Sequence, residues 1–455
     1  MLLNCPLLIR EKVRVFKKSM PAHNSLRSVP TMRWLRIVPP TVIIYMITYM
    51  ERMNISFAMA GGMNRALDLS MSTSGLAAGI FFVGYMLLQV PAGHIAEHGS
   101  AKRYILWSVV AVGSLSVITG FVQNAWQLLA MRFLLGVAEG GVYPAILIII
   151  SKWFPAKEIG RANALFLMSL PLSLVVSNPV SGWIVANHGW RWLFIIEGVA
   201  ALAVIVVCVP TISDRPEDAK WISKEEKEYL LEVLRAEKAE RQVALEEKRG
   251  AGAKASYKRL ATDTNLWLMV ALYICYTTGQ YGYALWLPTF VKNLTKVNLT
   301  QVGWLSSLPF VVALPGLYLF GALSDKTGNR RLCVALSLAG FSVSFGTAML
   351  FPGYIWFSYF LLVLTGLFTK SAQSPFWAIP DLVFPPGVSG GARGIINAVG
   401  NLGGLFGPAL TGWFMTTTGG MKLGIYSLAF ILLIGSAITM FLPAVTAGKI
   451  VDPTA

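Results

Sequence analysis

GALSDKTGNRR, Gly321 to Arg331, repeats the pattern of GHIAEHGSAKR, Gly93 to Arg103, about 230 residues earlier: Gly first, an acid fifth, two basic residues tenth and eleventh. SNPVSGWI (Ser177 to Ile184) and FGPALTGWF (Phe406 to Phe414) recur at nearly the same spacing. Internal similarity at one fixed offset marks a duplicated unit. Outward from both loops run apolar stretches near 36-62, 74-96, 104-122, 125-150, 162-186, 192-212, 266-291, 301-322, 332-351, 355-380, 392-416 and 424-443. Each approaches the roughly 20 residues that a helix needs to cross a bilayer. The pattern predicts an all-α membrane protein of twelve transmembrane helices in two pseudo-symmetric six-helix halves, 36-212 and 265-443.

Composition agrees. Of 455 residues, 55% are hydrophobic and 13% charged, with 24 Phe and 14 Trp, whereas a soluble chain carries roughly 25% charged residues. Most of the Lys and Arg fall in the N-terminal tail, the even-numbered loops and the C-terminal tail. Positive loops stay on the cytoplasmic side, so both termini are expected there, in a cell (inner) membrane. The net charge of +16 is divided among loops and is not gathered on one face with stacking aromatics. It fits anionic lipid, and no nucleic-acid partner is expected.

The tail 1-35 has no apolar core of signal-peptide length and no small-residue cleavage site. It reads as a cytoplasmic extension, with Met20 and Met32 as alternative starts, and 444-455 as a short cytoplasmic tail. Cys5, Cys208, Cys275 and Cys333 and the four histidines show no metal-ligand spacing, so neither a metal nor a cofactor other than a coupling proton is expected. Segment 213-264 reads as a cytoplasmic linker. In SKEEKEYLLEVLRAEKAERQVALEEKRG, Ser223 and Glu226 stand at capping-box spacing, predicting an exposed helix of alternating charge that ends near GAGAK.

Charges inside the apolar stretches cost roughly 2.5 to 3.5 kcal/mol each at the bilayer centre and therefore face partners or a polar path. YMERMNISFA places Glu51 and Arg52 together in span 1; span 4 carries Arg132 and Glu139, span 6 Glu197 and span 10 Lys370. At 1.5 Å per residue, Glu51 lies about 22 Å from Arg36, and Glu139 about 21 Å from Ala125, near the midplane. Consecutive residues point about 100° apart, so Arg52 is expected to face the centre and Glu51 span 4. Glu197, close to the start of its helix, is expected near the outer surface. Arg132 and Glu139, seven apart, share a face. Purely structural pairing of spans 1 and 4 is the simpler alternative. Tyr85, Tyr281 and Trp286 are candidates for the walls of the site, each offering a flat face and one hydrogen bond. Asn397 and Asn401 share a face of span 11, where either can meet a hydroxyl or bond a neighbouring helix.

GxxxDKxGxRR between the second and third helices of a half resembles the signature loop of the major facilitator superfamily. Gly321, Asp325, Lys326, Gly328, Arg330 and Arg331 match it; Gly93 matches in the first copy, where Glu97 replaces Asp, His98 a basic residue and Ser100 the second Gly. The acid beside a helix end suggests a gating latch with loop arginines. Within the superfamily the chain is similar to the anion:cation symporters, which include sugar-acid, tartrate and phthalate permeases. The stretches that carry this likeness are YMERMNISFA, RFLLGVAEGGVYP, WRWLFIIEG, DRPEDAKWISKEE, YGYALWLPTFVK and INAVGN. The family usually has Asp at Glu51.

The resemblance implies a secondary active transporter and no enzyme: proton-coupled uptake of a small organic carboxylate, by a monomer in the bilayer. It implies coupled protons on Glu51 and Glu139, with Arg132 beside them, and a substrate carboxylate on Arg52. Some sugar-acid permeases carry Lys at the place of Lys370, and two cations would suit a two-ended anion. Burial favours the protonated carboxyl and a nearby Arg the ionised one, so an anion that draws Arg52 away would leave a carboxylate ready for a proton. A drug/proton antiporter is the alternative on the same fold, but its usual Gly-Pro motif in span 5 reads SNPVSGW here. An organophosphate exchanger would want a basic residue in span 7, which has none. A non-transporting sensor would usually show a long signalling tail.

Overall fold

The structure is a computed structural model that describes residues 31-250, 260-351, 353-385, 388-446 and 449-451. Residues 1-30 of the expected extension 1-35, and the return to coil over 251-259, lie outside the described residues; the end of that extension is helical from Met32, as part of the first span. The first span is α1 (Met32–Met53) and α2 (Ile55–Ala60), followed by a single turn, α3 (Met63–Ala66). Spans 2 and 3 are α4 (Met71–His98) and α5 (Ala101–Thr119); span 4 is α6 (Ala125–Glu139) with α7 (Val142–Trp153). Span 5 is α8 (Ala156–Leu167) with α9 (Ser169–His188), and span 6 is α10 (Trp190–Cys208). A polar helix, α11 (Lys224–Gly250), precedes spans 7 to 9: α12 (Thr264–Thr295), α13 (Leu299–Thr327) and α14 (Arg330–Thr347). Span 10 is α15 (Ile355–Thr369), α16 (Gln373–Ala378) and α17 (Pro380–Val383). Span 11 is α18 (Ser389–Gly400) with α19 (Gly403–Thr418), and span 12 is α20 (Lys422–Met440). The extended pairing among the described residues is a short antiparallel ladder after α20, Ala444–Thr446 against Lys449–Val451.

Eight of these helical stretches are long and apolar enough to cross a membrane by those two measures alone. The other four are the less apolar or interrupted ones: charges in spans 1 and 9, a polar interior in span 7, a break in span 11. Large apolar side chains such as Trp107, Trp126, Trp304 and Phe430 point outward, where lipid would cover them.

Glycines set how closely the helices pack. A Cβ on Gly84 or Gly136 would lie 2.2 Å from Phe133 O or 2.0 Å from Phe81 O, joining α4 to α6; one on Gly316 or Gly366 would lie 2.0 Å from Leu367 O or 2.1 Å from Pro309 O, joining α13 to α15. The same device in matching helices of both halves is what the duplicated sequence implies, and small residues are what let membrane helices approach.

The described part of the linker, 213-250, binds the N-terminal half more closely than alternating charge suggests. Glu226 is fully buried and accepts from the backbone N–H of Met32 and Arg33 (3.2 and 3.3 Å) and from Arg33 Nη1 (2.6 Å), while Arg33 Nη2 reaches Glu158 at 2.9 Å. Only half of the expected capping box forms: Glu226 N donates to Ser223 Oγ, but its carboxylate caps α1 instead, where free N–H groups favour an anion. Asp214 likewise accepts from Ser100 Oγ and from Lys102 N (2.9 Å) at the start of α5.

Hydrogen bonds that join the two halves among the described residues all lie from the middle of the bundle toward the face opposite the start of α1. They are Arg52 to Tyr281, Ser72 N to Thr416 Oγ1, Asn178 Nδ2 to Ser306 O and Lys292 Nζ to Ala60 O. Glycines seal that face: a Cβ on Gly75 would come 2.3 Å from Pro408 O, and one on Gly412 2.2 Å from Met71 O. Gly75→Val is expected to part the halves there, since overpacking costs about 1–3 kcal/mol. In an otherwise cysteine-free protein in detergent, maleimide labelling of a cysteine at Asn64 should rise several-fold; unchanged labelling would show that this contact does not hold the face shut.

Candidate functional site

Helix breaks build the site. In span 1 the break falls at Asn54, between α1 and α2, and it takes the carbonyls of Glu51 and Arg52 out of the helical ladder. Arg132 satisfies both, Nη1 donating to Glu51 O at 3.2 Å and Nη2 to Arg52 O at 2.8 Å. An unpaired backbone carbonyl is costly where no water reaches, which accounts for a fully buried arginine on α6. Span 10 breaks at Lys370 and span 11 at Asn401, and span 7 answers them: Tyr276 OH donates to Thr369 O (2.8 Å) and Thr277 Oγ1 to Gly400 O (2.6 Å).

Arg52 and Glu51 part company at the break. Arg52, 3% exposed, binds Glu139 through Nε (3.2 Å) and Nη2, and Tyr281 OH through Nη1 (3.2 Å). Its guanidinium lies 4.6 Å from the centre of the Tyr85 ring, 5.0 Å from Phe81 and 5.1 Å from Tyr49, within the range of cation–π attraction. A guanidinium has five donors, and these bonds leave two for another acceptor. Glu139 Oε2 is buried without a partner. The ion pair is therefore unsaturated on both sides.

Glu51 does not face span 4 as the sequence suggested. One step of helical rotation turns it the other way, to accept from Ser116 Oγ on α5 (2.5 Å) and Asn54 Nδ2 (2.8 Å). Beside it stands Glu197, 1% exposed, accepting from Ser181 Oγ at 2.6 Å. Sequence reasoning placed Glu197 near the surface because it lies early in its helix. Yet α10 begins on the same face at which α2 ends, so Glu197, about 10 Å from Trp190, meets Glu51, about 14 Å from Ala60, at comparable depth.

Lys370 comes to the centre from the other half. It is 4% exposed, lies within electrostatic reach of Arg52, and its ammonium has no hydrogen bond or ion pair among the described residues. Other candidates fall outside this cluster. Trp286 is fully buried and donates Nε1 to Pro408 O at 3.1 Å, which ties α12 to α19. Asn397 accepts from Asn401 within span 11 through its carbonyl (2.7 Å) and its side-chain oxygen (3.2 Å).

The two loops are built differently. Gly328, at φ +67°, ends α13 in the left-handed conformation that glycine adopts without strain; in the first copy Ser100 caps α5 instead. Arg330 Nη1 reaches Ala378 O (3.1 Å) and Arg331 Nη1 reaches Leu442 O (2.9 Å), while Asp325, Lys326 and Glu97 are exposed and Gly93 and Gly321 partly so. Among the described residues no ion pair joins Asp325 to a loop arginine.

Residues 41–299 and 293–454 match the Major Facilitator Superfamily. A relative from Agrobacterium vitis named "Putative tartrate transporter" is 34% identical over 420 residues, covering 90% of this chain and 93% of its own. A "Quinolone resistance transporter" from Acinetobacter baumannii is 29% identical over 411 residues, covering 89% and 92%. The crystal structure of a bacterial homolog of the human lysosomal transporter Spinster shares the fold at a TM-score of 0.71 and 16% identity, covering 89% of this chain and 96% of that one. The chain belongs to the major facilitator superfamily, as a transporter similar to its sugar-acid and anion permeases.

Proposed function

We propose that this transporter takes up a small organic carboxylate together with protons, by alternating access about the breaks in spans 1, 4, 10 and 11. One observation carries this reading: Arg52 and Glu139 cancel each other, and the buried Lys370 within electrostatic reach of Arg52 has no anion among the described residues. The centre is thus one negative charge short of neutral. A substrate carboxylate seated on the two spare donors of Arg52 would supply it, and a second polar end of the substrate would reach Lys370. Arg132, occupied by two backbone carbonyls, holds the broken helix and leaves Arg52 as the hook. Basic loops put the start of α1 on the cytoplasmic side of the cell membrane, so the sealed face is the external one.

The quinolone-named relative keeps a drug exporter as the second reading. Proteoliposomes separate the two. With an inward proton gradient, tartrate or galactarate is expected to accumulate and to leak back when a protonophore is added. Lys370→Met is expected to weaken such two-ended anions about tenfold or more relative to a monocarboxylate, the worth of one hydrogen bond to a charged group. Proton-driven extrusion of a lipophilic cation without uptake of any carboxylate would overturn the proposal.

A further inference from the structure

The N-terminal half holds a second group of acids, apart from Arg52 and Glu139. Glu51, Asn54 and Glu197 are 0%, 2% and 1% exposed. Asn54 Nδ2 donates to Glu51 Oε2 at 2.8 Å, and Glu197 lies within electrostatic reach of Glu51. Ser116 on α5 and Ser181 on α9 donate to one carboxyl each. Three buried oxygens then remain without a partner: Glu51 Oε1, Asn54 Oδ1 and Glu197 Oε2.

All three are acceptors. The surrounding hydroxyl and amide donors are already spent, and a buried acceptor left unsatisfied costs roughly 1–3 kcal/mol. The cluster is short of donors and also of positive charge. Facing charges are few: Arg132 on α6 gives both terminal nitrogens to the backbone carbonyls of Glu51 and Arg52 and keeps its Nε buried without a partner, one positive charge against two acids, and Arg52 turns away to Glu139. The helices α5 and α9 contribute only serines. Two carboxylates sharing so small a space cannot both stay ionised.

We propose that Glu51 and Glu197 form a carboxyl pair that shares a proton at Asn54, a proton site distinct from the substrate-linked Arg52–Glu139 pair. The bound proton turns one carboxylate oxygen into a donor, which bonds the other carboxylate or Asn54 Oδ1, so acceptor excess and charge excess fall together. Because the pair links spans 1, 3, 5 and 6 on both sides of the break at Asn54, its protonation would tighten the packing around that break. This deepens the proton-coupling reading above, but its test uses no transported substrate.

The test is infrared titration of the full-length protein in detergent and sodium-free buffer, following the carboxylic-acid stretch. In the wild type, one such band is expected to persist to higher pH than in either Glu51→Gln or Glu197→Gln, and the double variant should lose no more of that band than either single variant. This reciprocity is what sharing means: each carboxyl holds the proton because the other is there. Ser181→Ala keeps both acids and removes only a hydroxyl donor, so it should move the midpoint of the same band, and it carries the test should a Gln variant fail to fold. Single variants that leave each other's titration unchanged, or a Ser181→Ala midpoint that does not move, would overturn the proposal. So would loss of the band on adding sodium chloride at constant ionic strength, which would assign the three oxygens to a cation.

Discussion

Arg52→Ala is expected to abolish uptake of an organic carboxylate in proteoliposomes, a loss of about 100-fold or more. The substitution deletes the bonds to Glu139 and Tyr281 and the ring contacts with Tyr85, Phe81 and Tyr49. Removing one partner of a buried ion pair costs about 3–5 kcal/mol, because the other charge is stranded. Here Glu139 escapes that cost by taking a proton, so the variant should still assemble in the membrane while its site has lost its hook. Arg52→Lys separates charge from geometry. An ammonium keeps the charge but cannot span Glu139, Tyr281 and a carboxylate from one planar fork, so it should restore only part of the uptake. Uptake by Arg52→Ala at the wild-type rate, at matched protein in the vesicles, would remove Arg52 from the binding site.

The duplicated loop and the apolar spacing made the fold legible, because membrane insertion imposes a length and a polarity on every crossing segment. The middle of the site was legible too, since a charge inside an apolar helix has few reasons to be there. What sequence did not show was partnership. Glu51 and Arg52 had to diverge, but which neighbour each would meet depends on where the helix breaks, and Asn54 carries no strong breaking signal. Glu197 was hidden for a related reason: depth counted along one helix ignores the face from which that helix starts. Asp214 and Glu226 were read as part of a solvated linker, yet they cap α5 and α1, since the free N–H groups that draw them lie over a hundred residues away in sequence. Trp286 shows the converse, an aromatic in a suggestive motif whose indole serves a carbonyl of a neighbouring helix.

Glu139→Gln should divide transport into two parts. Glutamine keeps the shape of glutamate and can still accept from Arg52 through its side-chain oxygen, so the hook stays in place, but it can neither carry the charge nor take up the proton. Exchange of external for internal tartrate needs only binding and the turnover of loaded carrier, and it should stay within a few-fold of wild type. Accumulation needs the proton to arrive with the anion, and it should fall by at least about tenfold. Anion affinity should also lose its dependence on pH, because the group that competes with substrate for Arg52 no longer changes charge. A structural role for Glu139, as a mere tie between α1 and α6, would instead depress exchange and accumulation together. The unpartnered Oε2 argues against that outcome: an acid kept only to tie two helices together would be expected to use both of its oxygens, whereas one that binds and releases a proton requires an oxygen left open to receive it.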